Sequence, residues 1–151
     1  MKRALIALIA GAGLWMGPAW ADAGADPAAE VLALERGAME GWLKGDPGPA
    51  LAIMDPQITW FHSAVAENRI EGLSAVKEIY DRFRGTPLFQ SYEILSPKVQ
   101  VSGNVAVLTY RLAQHVGANT AVWNATQVYE KKKEGWRIIH SHFSAPGSRQ
   151  P

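Results

Sequence analysis

From residue 88 onward the chain reads as four strand-like runs in succession, LFQSYEILSPKVQV, VAVLTYRLAQHV, TAVWNATQVYEK and GWRIIHSHF. They are separated by Ser102-Gly103-Asn104, Gly117-Ala118-Asn119 and Glu134-Gly135. Glycine and asparagine tolerate the positive φ that tight hairpins demand, so the runs should pair in order as an antiparallel meander. One face of such a sheet has to be covered, and the covering material lies earlier in the chain.

Between Ala28 and Lys44, Val31, Leu32, Leu34, Ala38, Met39, Trp42 and Leu43 recur at helical spacing, with Glu35, Arg36 and Glu40 between them. Asp26 stands as N-cap, Pro27 at the first helical position and Glu30 in the first turn, while Gly45-Asp46-Pro47 ends the helix. A short helix from Pro49 to Met54 follows, then the β-rich run QITWFH, a loop, and NRIEG leading into a third helix from Leu73 to Arg84. Helices first and a meander afterwards predict an α+β domain with helices on one sheet face.

The start of the chain is of another kind. Met1-Lys2-Arg3 precedes the apolar run ALIALIAGAGLWMGPAWA, which ends in Ala19-Trp20-Ala21, a small-residue cleavage site. The run approaches the length of a membrane-spanning anchor, but its glycines and Pro18 fit a cleaved secretory signal over residues 1–21. Residues 22–27 then form a flexible leader, residues 28–145 a single α+β domain and residues 146–151 a tail. Removing Lys2 and Arg3 leaves 13 basic against 14 acidic residues, moving the formal charge from +1 to −1. That balance points to neither nucleic acid nor an anionic membrane surface as a partner, and no membrane contact is expected after cleavage. With no cysteine, the exported chain holds itself by core packing, and thiol catalysis is excluded. A periplasmic or secreted destination is expected.

YRLAQ at Tyr110–Gln114, TQVYEKKKEGWRIIHSHFS at Thr126–Ser144 and NRIEG at Asn68–Gly72 resemble segments of the nuclear transport factor 2-like superfamily. The branch they resemble holds the association domain of calcium/calmodulin-dependent kinase II and bacterial SnoaL-like proteins. The resemblance spans about Val31 to Ser144 and implies a cone: a curved antiparallel sheet wrapped around N-terminal helices, open at one end. It further implies a homodimer or higher homo-oligomer, and a pocket on the concave sheet face that receives a small organic ligand. In the kinase domain, arginines on the inner face line that pocket, and Arg111 matches one of them. Gln127 stands where that branch has another arginine and Phe143 where it has a third polar residue, so a neutral or singly anionic ligand suits this chain better than a carboxylate.

Read as residues, Arg111 interrupts VAVLTYRLA with the same-face neighbours Val105, Val107, Thr109 and Ala113. A charge on such a face either pairs with a helix carboxylate, such as Glu35 or Glu40, or meets a ligand. In the last run, strict alternation puts Trp136, Ile138, His140, His142 and Ser144 on one face, the floor of a pocket. His140 and His142 could begin a metal site with His62 or His115, but no carboxylate on neighbouring strand faces completes one, so neither metal nor cofactor is expected. Trp123, Gln127 and Tyr129 alternate on one face of their strand, and Trp60 closes the wall. Tyr80 and Phe83 are expected in the core, with Tyr80 near the mouth. The expected ligand-binding set is therefore Arg111, Gln127, Tyr129, His140, His142, Trp60 and Trp123.

Two alternatives stand beside ligand binding. By resemblance, His62 lies where the superfamily's steroid isomerases keep an aspartate base, so a cofactor-independent isomerase or cyclase would use His62 as general base. Ala38 and Ala125 fall where those enzymes place their oxyanion donors. The other alternative is an oligomerisation module without ligand.

Overall fold

The computed structural model describes residues 26–65 and 68–147. The signal expected over residues 1–21 lies outside them. Helix α1 runs Pro27–Leu43, capped as the sequence predicts by the Asp26 carboxylate accepting from Ala28 N. Helix α2 is Gly48–Ala52 and α3 is Leu73–Asp81, both shorter than predicted. At the C-terminal end of α2, Met54 belongs instead to the first strand, β1, Met54–His62. Strand β2 is Ile70–Glu71, β3 Ser91–Ser102, β4 Val105–Val116, β5 Asn119–Lys132 and β6 Gly135–Ser144.

The six strands form one mixed sheet in the order β2-β1-β6-β5-β4-β3. From β3 to β6 the chain is the expected meander; Gly103 and Gly117, at φ 59° and 60°, make the tight turns possible. One pairing departs from the all-antiparallel expectation: β1 lies parallel to β6, placing the last strand inside the sheet. This pairing joins segments some eighty residues apart, which no local turn signal announces.

Three ladders shift register, β1–β6 between Met54 and Thr59 and two others at single-residue bulges that curve the sheet. In β3, Leu95 opposes Arg111 and Lys98 opposes Thr109, so an extra residue is inserted where Ser96 takes φ 50° and Pro97 follows on the edge strand. In β6, Tyr129 opposes Ile138 and Val128 opposes His140, leaving Ile139 as the extra residue. Helices α1 and α3 cover the concave face, closing α+β layers into a cone. Their contact is the edge-to-face pair Trp42 and Tyr80, ring centroids 4.8 Å apart. Among the described residues no helix is long and apolar enough to cross a membrane.

Candidate functional site

Between the helices and the concave face lies a cavity of about 220 Å³. The volume is below the roughly 300–1,000 Å³ usual for drug-sized ligands, so it suits a small one. Its wall is a chain of rings: Trp42 meets Tyr80, Tyr80 meets Trp60 at 5.4 Å, Trp60 meets His62 at 5.4 Å, and His62 meets Trp123 at 4.9 Å and Phe143 at 5.5 Å. Val65 and Leu88, the exposed lining residues, mark the mouth.

Glu35 lines this cavity from α1 and is 1 % exposed. It lies on the helix face of Val31, Ala38, Met39 and Trp42, so the fold that buries the stripe buries the carboxyl too. Three side chains point donors at it. Tyr110 Oη and Gln127 Nε2 (a long 3.5 Å) reach Oε1, and Tyr129 Oη reaches Oε2 at 2.8 Å. Burial pushes the Glu35 carboxyl above its usual 4.5, against the pull of these hydrogen bonds. Burial and the nearby Glu35 charge together push the Tyr110 and Tyr129 phenols well above 10, and that of Tyr80 upward as well. No cation pairs with Glu35 among the described residues.

Among the described residues, two buried polar atoms on the lining have no hydrogen-bond partner: Trp60 Nε1, a donor, and Gln127 Oε1, an acceptor. By contrast Trp123 Nε1 is occupied, donating to Gln114 Oε1 at 2.9 Å. His62 sits toward the mouth, where burial lowers its pKa from 6.5. Its Nδ1 accepts from Ala64 N at 3.3 Å, so in the neutral ring the proton is on Nε2.

Of the residues expected from sequence, the structure places Trp60, Trp123, Gln127 and His62 on the cavity wall and Tyr129 in the hydrogen-bonded layer around Glu35. Three it places elsewhere. Arg111 is exposed on the convex face, because the inward residues of β4 are Ala106, Leu108, Tyr110 and Leu112. Val105 and Val107 made the outer parity look like the inner one. His140 and His142 also face outward: the extra residue at Ile139 inverts the alternation, so Ser141 and Phe143 continue the buried face of Trp136 and Ile138. There His140 Nδ1 is 2.8 Å from Thr59 Oγ1, and exposed Phe61 lies near both imidazoles. Burial, His142 and Arg69 lower the pKa of His140. Among the described residues no three histidine, aspartate or glutamate side chains gather as a metal site.

The residue that sequence reasoning missed as part of the site is Glu35, weighed only as an ion-pair partner for Arg111. The signal was available: it stands four residues after Val31 and four before Met39, inside the apolar stripe.

The model of the calcium/calmodulin dependent protein kinase II association domain matches residues 27–147. The chain is 28 % identical over 123 residues to the calcium/calmodulin-dependent protein kinase type II alpha chain of Drosophila melanogaster, covering 77 % of this chain and 23 % of that much longer protein. Among solved structures it is similar to a putative ketosteroid isomerase from Parabacteroides distasonis, with TM-score 0.70 and 28 % identity over 80 % of this chain and 88 % of that one. It is also similar to the hub homology domain of the kinase from Chlamydamonas reinhardtii, with TM-score 0.66 and 27 % identity over 81 % of this chain and all of that one (100 %). With the cone, the ring-lined cavity and a family model spanning nearly every described residue, the chain has the fold of nuclear transport factor 2-like proteins and belongs to the calcium/calmodulin-dependent kinase II association domain family.

Proposed function

We propose that this protein binds a small organic ligand in the cavity of its cone. One observation carries the reading: Trp60 Nε1 and Gln127 Oε1 are buried on the wall with no protein partner among the described residues. Leaving a buried donor or acceptor unmade costs about 1–3 kcal/mol, a cost that a ligand with a matching acceptor and donor removes. The apolar rings supply the contact area and the two polar atoms set orientation. In this reading Arg111, His140 and His142 have no part in the cavity.

We further propose that the protein is exported and assembles as a homodimer or higher homo-oligomer through the convex sheet face. Membership of an association-domain family supports assembly, as does Phe61, an aromatic ring 37 % exposed on that face.

A second reading, a cofactor-independent isomerase or cyclase, draws on the similarity to a putative ketosteroid isomerase and on His62 and Glu35 lining one cavity. The Ala64 N–H occupies the lone pair of His62 Nδ1, so the neutral ring offers a donor at Nε2, and base action requires that hydrogen bond to break. This favours binding over turnover.

The test is native mass spectrometry of the chain purified gently from its source, beside its denatured mass. An adduct lost on denaturation and weakened in Trp60→Phe supports the binding reading and supplies the ligand's mass. A bare assembly, with no adduct in any preparation, overturns it in favour of the assembly module.

A further inference from the structure

The cavity's charge is one-sided. Glu35 is the single Asp, Glu, Lys or Arg on its wall, is nearly inaccessible, and has no cation beside it among the described residues. Buried charges in proteins are ordinarily paired. The side chains that touch its carboxyl, Tyr110, Tyr129 and Gln127, are placed as donors, the arrangement suited to an ionised carboxylate. What is missing is the positive partner.

The remaining wall suits a cation. Trp42, Trp60, Tyr80, Phe83, Phe89 and Trp123 present ring surfaces, whose negative faces attract ammonium groups most strongly when water is excluded. Gln127 Oε1, buried and unpartnered, is an acceptor for an ammonium N–H. Trp60 Nε1 is a donor for an oxygen elsewhere on the ligand. Among the described residues a carboxylate ligand would find no lysine or arginine on the wall, and Glu35 would repel it.

We propose that the ligand is a small organic amine bound as its ammonium ion, with Glu35 as counter-charge. The proposal rests on the cavity being a ligand site and specifies its chemistry, a cation where the sequence leads one to expect a neutral or singly anionic ligand.

Three probes of nearly equal size separate the two ideas: benzylamine, benzyl alcohol and benzoate, titrated calorimetrically into the purified chain. The expected order is benzylamine about tenfold or more tighter than benzyl alcohol, with benzoate weaker than both. Benzylamine affinity should rise with pH as Glu35 ionises, while benzyl alcohol affinity stays flat. Other titratable groups facing the carboxyl are Tyr80, Tyr110 and Tyr129, which hold their protons throughout, and His62 also lines the cavity. Glu35→Gln, which preserves volume, should remove the amine's advantage while leaving only the His62 contribution to the pH profile. If benzyl alcohol binds as well as benzylamine in the unaltered protein, the amine proposal fails and the ligand site stands. If none of the three binds, both fail.

Discussion

Tyr129 on β5 donates its phenolic hydrogen to Glu35 on α1 at 2.8 Å, across 94 residues of sequence, at a point where the tyrosine has no solvent exposure. The bond ties the first helix to the sheet at the cavity floor. Hydrogen bonds to charged groups contribute about 1.5–3 kcal/mol, so Tyr129→Phe should destabilise the fold by about that amount. Urea unfolding checks it, and an unchanged midpoint would show that the carboxyl finds another donor.

Glu35 and His62 give opposite pH dependences. Glu35 holds its proton to a higher pH in the folded chain than the ordinary 4.5, so the unfolded chain releases that proton first. Stability from this group is therefore full below about 4.5 and declines as pH rises through the folded value. His62 is the reverse: its folded pKa lies below 6.5, so stability is lost as pH falls from 6.5 through the folded value. His140 acts in the same direction. Unfolding midpoints from pH 4 to 8 should show Glu35→Gln gaining on the unaltered chain as pH rises, and His62→Gln flattening the acid side in part. Parallel curves would contradict both assignments.

Ala38 presents the smallest of side chains to the cavity from α1 and is 4 % exposed. Leucine there projects into the void, where the overpacking cost, typically about 1–3 kcal/mol in a filled core, is reduced by the empty space. Ala38→Leu should keep the fold and abolish the ligand adduct in native mass spectra. Persistence of the adduct would locate the ligand outside the cavity.

A glycine inside a helix usually gains about 1 kcal/mol on replacement by alanine. Gly41 should do the opposite, since a Cβ there would lie 2.6 Å from Asp46 O and 2.9 Å from Pro49 Cγ. Gly41→Ala should lower the melting temperature by forcing α1 from the turn that follows it; a rise would mean that this turn yields freely.

The assembly proposal makes the convex face its own experiment. Phe61→Glu, on the face opposite the cavity, should reduce the mass seen by light scattering toward the monomer while leaving the adduct intact. Arg111→Met, at a position the sequence assigns to the ligand set and the structure places on the convex face, should leave the adduct unchanged.

The meander, the capped first helix and the layer order were legible because each rests on local chemistry: Gly103 and Gly117 at turns, Asp26 and Pro27 at a helix start. What was hidden depended on partners distant in sequence. Alternation along β6 was read correctly as far as Ile138, and a single inserted residue then inverted the sides of His140 and His142. Arg111 was misplaced because β4 carries small apolar residues on both faces, so period two alone does not choose between them. As an ion-pair partner for Arg111, Glu35 stood apart from the site in the sequence because its three donors lie on other elements, although its spacing placed it in the apolar stripe.

Strand β6, the last of the described strands to be made, lies between β1 and β5 in space, its ladders running to both. Until residue 144 is available, β2-β1 and β5-β4-β3 are two fragments with unpaired edges, and neither encloses the cavity. Such an arrangement delays closure until β6 has been made and makes the search for the native state slow, because its decisive contacts are distant in sequence. A chain built this way cannot complete its binding chamber in passing; it has to be whole before it can hold anything.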